Sequence, residues 1–282
     1  MKHLLSFLLS LVIISAIPFI CVGQSDNFEE DPYVILCGEA DSAIKKEDYP
    51  TAALRLQEAI RMRPYSPSNV LLMSNLGMIY SMMDSDSLAL DILGEAISAY
   101  PDMKTARANR AKIFLKNNRD GDAFDEFGEI LTLDSLDTEA RYYHGLIALY
   151  AGKLETAERD FSILEQLEPR TVRTARALSA LYSLTERNRE AIPHYLALIA
   201  DDPAAEYYAA LAGCYLQLQN LSEASATISE GMQKYPSDPE LYYYRAWLNR
   251  DRYRLDDAKK DGAKAIKFGA NPMRVNALFN KR

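Results

Sequence analysis

Apolar residues recur along this chain at helical rather than strand intervals. In residues 76–101, LGMIYSMMDSDSLALDILGEAISAYP, Leu76 and Tyr80 lie four apart, as do Ala89 and Leu93, with Ala96 three further on. Spacings of three and four put side chains on one face of an α-helix. The intervening DSDS is polar and carries residues that end one helix and cap the next. Aligned on Ala89, the chain gives the series Ala52, Ala89, Ala123, Ala157, Ala191, Ala224, Ala258, with gaps of 37, 34, 34, 34, 33 and 34. A fixed period near 34 marks an array of one supersecondary unit. Each unit reads as two helices around a polar break: KKEDYP, DSDS, NNRDGD, AGKLE, TERNRE, LQNLSE and DRYRLD. Most units close on a proline, Pro64, Pro101, Pro169, Pro203 or Pro236, which cannot continue a helix interior. The first, wider interval predicts a longer loop around residues 63–69.

These letters resemble the tetratricopeptide repeat, whose signature runs W-x2-L-G-x2-Y, then A-x3-F, a further alanine and a closing proline. The second unit supplies Leu76, Gly77, Tyr80, Ala89, Leu93, Ala96 and Pro101; the fourth Gly145, Ala157, Phe161 and Pro169. The fifth supplies Leu178, Tyr182, Ala191, Tyr195 and Pro203, and the sixth Leu211, Ala212, Tyr215, Ala224, Ile228 and Pro236. The first, third and seventh units are looser, keeping Ala40, Leu56 and Ala59; Ala111, Phe114 and Phe127; and Ala246 and Ala265. The resemblance implies an all-α fold, a right-handed superhelical solenoid of antiparallel helix pairs, with seven repeats over residues 33–270. A Gly or Ala sits where paired helices approach, and no repeat hides its apolar face without a neighbour. Pro193 falls inside a second helix, near enough to its start to be accommodated with some kinking. Gly262 stands where a bulky residue is due, so the seventh unit is expected to pack poorly. Residues 271–282 are too few for another repeat and read as a short capping helix or tail.

The N-terminus, MKHLLSFLLSLVIISAIPFICVGQ, has Lys2 ahead of an apolar run broken by Pro18. Cleavage after Gly23 would fit a secretory signal peptide. An uncleaved anchor and a lipoprotein acylated at Cys21 are the alternatives, the latter with Ile20 where a small residue is usual. Residues 24–32 form a polar linker. All three fates export the chain to the periplasm or cell envelope, and contact with a membrane is expected only through this segment. After cleavage only Cys37 and Cys214 remain. They are too far apart in an extended array to bridge and read as buried thiols.

A net charge of −8 and a pI near 5.1 exclude nucleic acid as the main partner, since phosphate binding needs a basic face. The charge is uneven, net −6 over residues 25–50 and net +5 over residues 251–282. This reads as solvated helix faces, or as complementary ends that meet head to tail. His144 and His194 occupy different repeat positions and do not suggest a metal site. NRDGD, 118–122, lacks the oxygens of a calcium loop. No phosphate loop or nucleophile elbow is present. No cofactor, metal or catalytic residue is expected, and the chain does not read as an enzyme.

The resemblance also implies a concave wall built by the first helix of each pair, its inward positions being the second, fifth, sixth, ninth, twelfth and thirteenth of each unit. These include Asn109, Lys112 and Lys116; Tyr142, Tyr143, Leu146 and Tyr150; Arg173 and Arg176; and Tyr243, Tyr244 and Trp247. From them the expected partner-binding set is Asn109, Lys112, Lys116, Tyr142, Leu146, Arg173, Arg176, Tyr243 and Trp247. Aromatic and arginine anchors suit an interface, and guanidinium groups pair two-pronged with carboxylates. The expected ligand is a peptide or partner protein with acidic or C-terminal carboxylate groups. The family's carboxylate clamp is not reproduced, because Cys37 and Asp41 stand where it needs Lys and Asn. Alternative readings are a self-associating structural component and a glycan- or peptidoglycan-binding repeat protein. An inward-facing packing role for the tyrosines, with solubilising cations, is the structural alternative to all of them.

Overall fold

A computed structural model describes residues 31–64 and 66–280 of the chain. The signal peptide or anchor, Cys21 and most of the linker lie outside the described residues. Every regular element described is an α-helix. In chain order they are α1 (Pro32–Lys45), α2 (Tyr49–Met62), α3 (Asn69–Met82), α4 (Asp86–Ala99), α5 (Lys104–Lys116), α6 (Asp120–Leu133), α7 (Thr138–Tyr150) and α8 (Leu154–Leu167). They continue with α9 (Val172–Leu184), α10 (Asn188–Asp201), α11 (Ala205–Gln217), α12 (Leu221–Lys234), α13 (Pro239–Asp251), α14 (Leu255–Phe268) and α15 (Pro272–Asn280). The chain divides into two compact units, one ending at Ala148 and the other beginning at Leu149, so the boundary falls within α7.

The turn chemistry repeats with the period of the alanines. Glu47, Asp84, Asn118, Gly152, Glu186, Gln219 and Tyr253 all adopt positive φ between the two helices of a pair. In six of these turns the next amide donates back across the helix end, as Ser85 N does to Tyr80 O (2.8 Å) and Arg254 N to Asn249 O (2.8 Å). This is the Schellman closure, which satisfies carbonyls the helix leaves unpaired. Asp31, Asp48, Asp137, Thr171 and Asp238 cap the helices that follow them through side-chain oxygens. The connection from α2 to α3 is longer than its counterparts, as the first interval of the repeat predicts.

All seven register alanines are fully buried. Glycine replaces alanine where approach is closer still. A Cβ on Gly77 of α3 would lie 2.7 Å from Leu93 Cγ of α4. Gly262 departs from the expectation of loose packing. A Cβ there would meet Val275 Cγ1 at 3.1 Å and Phe279 Cε2 at 3.3 Å, so the space is taken by α15. Pro193 sits within α10 on its exposed side. Cys37 and Cys214 are both buried, and burial pushes the Cys214 thiol up to about 11.

Within the first unit α1/α2, α3/α4 and α5/α6 pack as pairs, and α2 and α4 each pack on the next first helix; within the second, α9/α10, α11/α12 and α13/α14 do so. First helices also touch each other, α3 with α5, α11 with α13 and α13 with α15, whereas contact between the described second helices of neighbouring pairs is at most slight. The first-helix layer is therefore the tighter, inner side of each unit. One stripe seats each first helix on what precedes it. Leu72, Ala106, Ala140, Thr174, Tyr207, Leu241 and Val275 occupy one repeat position and are all buried, while the equivalent Ile35 in α1 is 47% exposed. Glu39 and Ser42 fill the next two places on that stripe in α1, where α3 has Leu76 and Ile79. The outer stripe of α1 is thus more polar than its counterpart in α3.

Candidate functional site

The inner layer of the first unit is closed by its own interactions. Asn109 Nδ2 donates to Ser74 Oγ (2.9 Å), one repeat back on α3. Lys116 Nζ donates to Ser81 O (2.8 Å) and lies 3.2 Å from Asp84 and 3.1 Å from Asp86. Lys112 Nζ pairs with Glu139 Oε1 at 2.8 Å. Burial raises the cost of charge on Asp86, but hydrogen bonds from Ser81, Asn117 and Lys116 outweigh it and hold the carboxyl below its usual range. These cations bind neighbouring repeats to one another. Every residue from Ala140 to Leu149 of α7 is buried, Tyr142 and Leu146 among them. Tyr143 stacks on Phe127 (5.1 Å between centroids) and meets Tyr142 edge-on. Little of Tyr142 or Leu146 is left for a partner to reach.

The second unit differs in its side-chain sizes. At the inner positions α9 carries Arg173, Arg176, Ala177 and Ala180, α11 carries Glu206, Ala210 and Gly213, and α13 carries Tyr244 and Trp247. Small residues thus form a floor between arginines and aromatics. A Cβ on Gly213 would lie 2.9–3.0 Å from the Tyr244 ring, so that ring rests directly on the α11 backbone. Tyr244 stacks on Trp247 (6.2 Å, 22°), and Trp247 Nε1 donates to Asp251 Oδ2 at 2.8 Å. Tyr243 is buried beneath Arg274, whose guanidinium carbon lies 3.9 Å from the ring centroid. Arg274 also pairs with Glu240 (2.5 Å) and donates to Tyr244 Oη (3.3 Å).

Arg173 and Arg176 are partly exposed. Arg173 Nη1 lies 3.5 Å from Glu168 Oε1. Arg176 forms a loose pair with the exposed Asp202, at 3.9 Å, and hydrogen-bonds the Tyr207 hydroxyl, while its buried Nε has no hydrogen-bond partner. Burial pushes the neighbouring Tyr207 hydroxyl upward against the pull of Arg176. An arginine whose carboxylate partner is so distant retains capacity for a closer one, and two-pronged pairing is the geometry guanidinium prefers. Glu206 brings an acid to the same floor, raising the Tyr150 hydroxyl further than burial does by itself.

Two features of the site lie outside the nine expected residues. One is Arg274, which occupies in α15 the repeat position that Glu240 occupies in α13; carrying the register past residue 270 would have found it. The other is the small-residue floor, Ala180 and Ala210, which shows in a sequence only once the inner positions are compared across repeats. A third pattern is structural. Glu126 receives Arg107 and Arg110, and Asp261 receives Arg245 and Asn249, each acid standing just before the large-residue position of its second helix. His144 lies buried and stacked on Phe124 at 4.0 Å, and His194 packs against Tyr182. Among the described residues, no three His, Cys, Asp or Glu side chains gather as metal ligands would.

A family model described as tetratricopeptide repeat matches residues 174–239, from α9 to the start of α13. No curated protein shows significant similarity to the chain. A tetratricopeptide repeat protein from Parabacteroides merdae ATCC 43184 is 24% identical with a TM-score of 0.62, over 88% of this chain and 97% of that one. YrrB, described as a TPR protein with an unusual peptide-binding site, is 17% identical with a TM-score of 0.57, over 67% of this chain and 98% of its own. PilW, described as a widely conserved type IV pilus biogenesis factor, is 18% identical with a TM-score of 0.62, over 74% and 96%. At these identities the likeness is one of fold.

Proposed function

We propose that this chain, a tetratricopeptide-repeat protein, is a non-catalytic scaffold of the cell envelope that holds a peptide or partner tail against the inner face of its second unit. The fold is that of protein-interaction scaffolds, and one neighbour of this fold is described as having a peptide-binding site. The observation that carries the reading is the contrast between the two inner layers. In the first, the expected cations are bound by Glu139, Asp84 and Asp86. In the second, the carboxylate that Arg176 reaches is 3.9 Å away, beside a floor of Ala180 and Ala210. An extended backbone fits over small side chains, the Tyr244–Trp247 stack receives an apolar residue, and the arginines receive a carboxylate. Envelope placement rests on the signal-like sequence of residues 1–23.

The test is a screen of short random peptides with free or amidated C-termini, followed by affinity measurement on Arg173→Glu/Arg176→Glu. A charge-assisted contact contributes about 1.5–3 kcal/mol, so selected acidic or free-carboxylate peptides should bind roughly ten- to hundredfold more weakly to the variant. Equal affinity and equal salt dependence in both proteins would overturn the assignment.

A further inference from the structure

The outer faces of the second helices carry charge in a pattern that the peptide site does not use. Two positions, four residues apart, point away from the buried alanine stripe in every second helix. They hold Asp91 and Glu95 in α4, Asp125 and Glu129 in α6, and Lys260 and Lys264 in α14, all exposed. None of the four acids has an ion-pair partner among the described residues. Lys260 lies 4.0 Å from the exposed Asp257, and Lys264 stands 5.5 Å from the Tyr242 ring centroid. Lys259 and Lys267 extend the same exposed face. By contrast, acids of the first pair are already engaged. Asp41 meets Lys45 (2.6 Å), Arg55 meets both Glu39 (2.8 Å) and Glu58 (2.7 Å), and Asp31 meets Arg63.

We infer that the lysine face of α14 docks on the acidic face of α4 and α6 of a second copy of this chain. The two rows share one helical spacing because they share one repeat position, so lysines four apart meet carboxylates four apart without a change of backbone. α4 and α6 belong to successive repeats and offer two such rows side by side. The same chain carries both halves, on different helices, so each contact joins unlike faces of two copies. This relocates the acidic partner surface from residues 25–50, where the net charge pointed, to helices whose carboxylates are unpaired. Exposed charges act weakly and are screened by salt, with a Debye length of about 30 Å at 0.01 M and about 10 Å at 0.1 M. Association is therefore weak, salt-sensitive, and independent of the inner groove.

Sedimentation equilibrium of the purified protein at low and high salt tests the inference. Association is expected at low salt, weakening roughly tenfold or more on raising salt past 0.1 M. Lys260→Glu/Lys264→Glu should be monomeric, as should Asp91→Lys/Glu95→Lys/Asp125→Lys/Glu129→Lys, with unchanged helical circular dichroism. Mixing the two variants restores association, because each then meets an opposite face. A monomeric parent protein at low salt overturns the inference. So does a reversal variant that associates like the parent, or a mixture of two folded variants that stays monomeric.

Discussion

Asp261 offers a direct measure of how much the buried acid of a repeat contributes. It is 5% exposed and accepts from Arg245 Nε (2.9 Å), Arg245 Nη2 (2.5 Å) and Asn249 Nδ2 (2.9 Å), tying α14 to α13. Asp261→Ala deletes all three bonds. Breaking a buried ion pair costs about 3–5 kcal/mol, but the Arg245 side chain is 36% exposed and recovers water, which discounts the loss. We expect about 2–3 kcal/mol, with Asp261→Asn near 1 kcal/mol because an acceptor and the shape remain. The single tryptophan, Trp247, lies on α13 and reports on this pair by its fluorescence. For urea slopes of about 1–3 kcal/mol per molar, the fluorescence midpoint should fall by roughly 0.7–3 M in the alanine variant. Far-UV circular dichroism should fall in part at that lower midpoint, since distant repeats are coupled only through their neighbours. A shift of the tryptophan transition under about 0.3 M would refute the reasoning. It would mean that Arg245 and Asn249 are as well satisfied by water as by the carboxylate.

Two further outcomes follow from the same geometry. Tyr253 is 93% exposed at φ 59°, so Tyr253→Gly relieves a left-handed backbone without losing packing. A gain of about 0.5–1 kcal/mol is expected, after allowing for glycine's entropy, and thermal or urea unfolding should show it; a loss would contradict the strain argument. His194 has its pKa lowered by burial, against a weaker opposing pull from Glu165. The unfolded chain therefore binds more protons between the folded value and about 6.5, so this contribution is full above about pH 6.5 and is lost as pH falls through the folded value. His194→Gln should flatten the decline in urea midpoint between about pH 7.5 and 5.5, and an identical decline in both proteins would remove His194 as its source.

The repeat was legible in the sequence because its physics is local. The alanines mark where two helices of one pair touch, and that contact must recur whenever the same pair recurs, so all seven are buried. The polar breaks likewise predicted the turns, though the sequence does not show that Tyr253 takes the strained position filled elsewhere by Gly, Asn, Asp, Glu or Gln. The inner positions were legible only as positions. Whether a lysine there faces a partner or a carboxylate one repeat away depends on side-chain reach across the stack. Lys112 and Lys116 are engaged by Glu139, Asp84 and Asp86, which no intra-helix spacing reveals. Gly262 makes the same point for packing. Judged against its own repeat it is a void, but α15 comes down upon it through Val275 and Phe279. The sequence by itself determined the helices, their period and their buried seams, since those follow from contacts within some 34 residues of chain. Only the tertiary structure decided which charged and aromatic groups are spent on holding neighbours together and which remain open, because that choice is made between repeats.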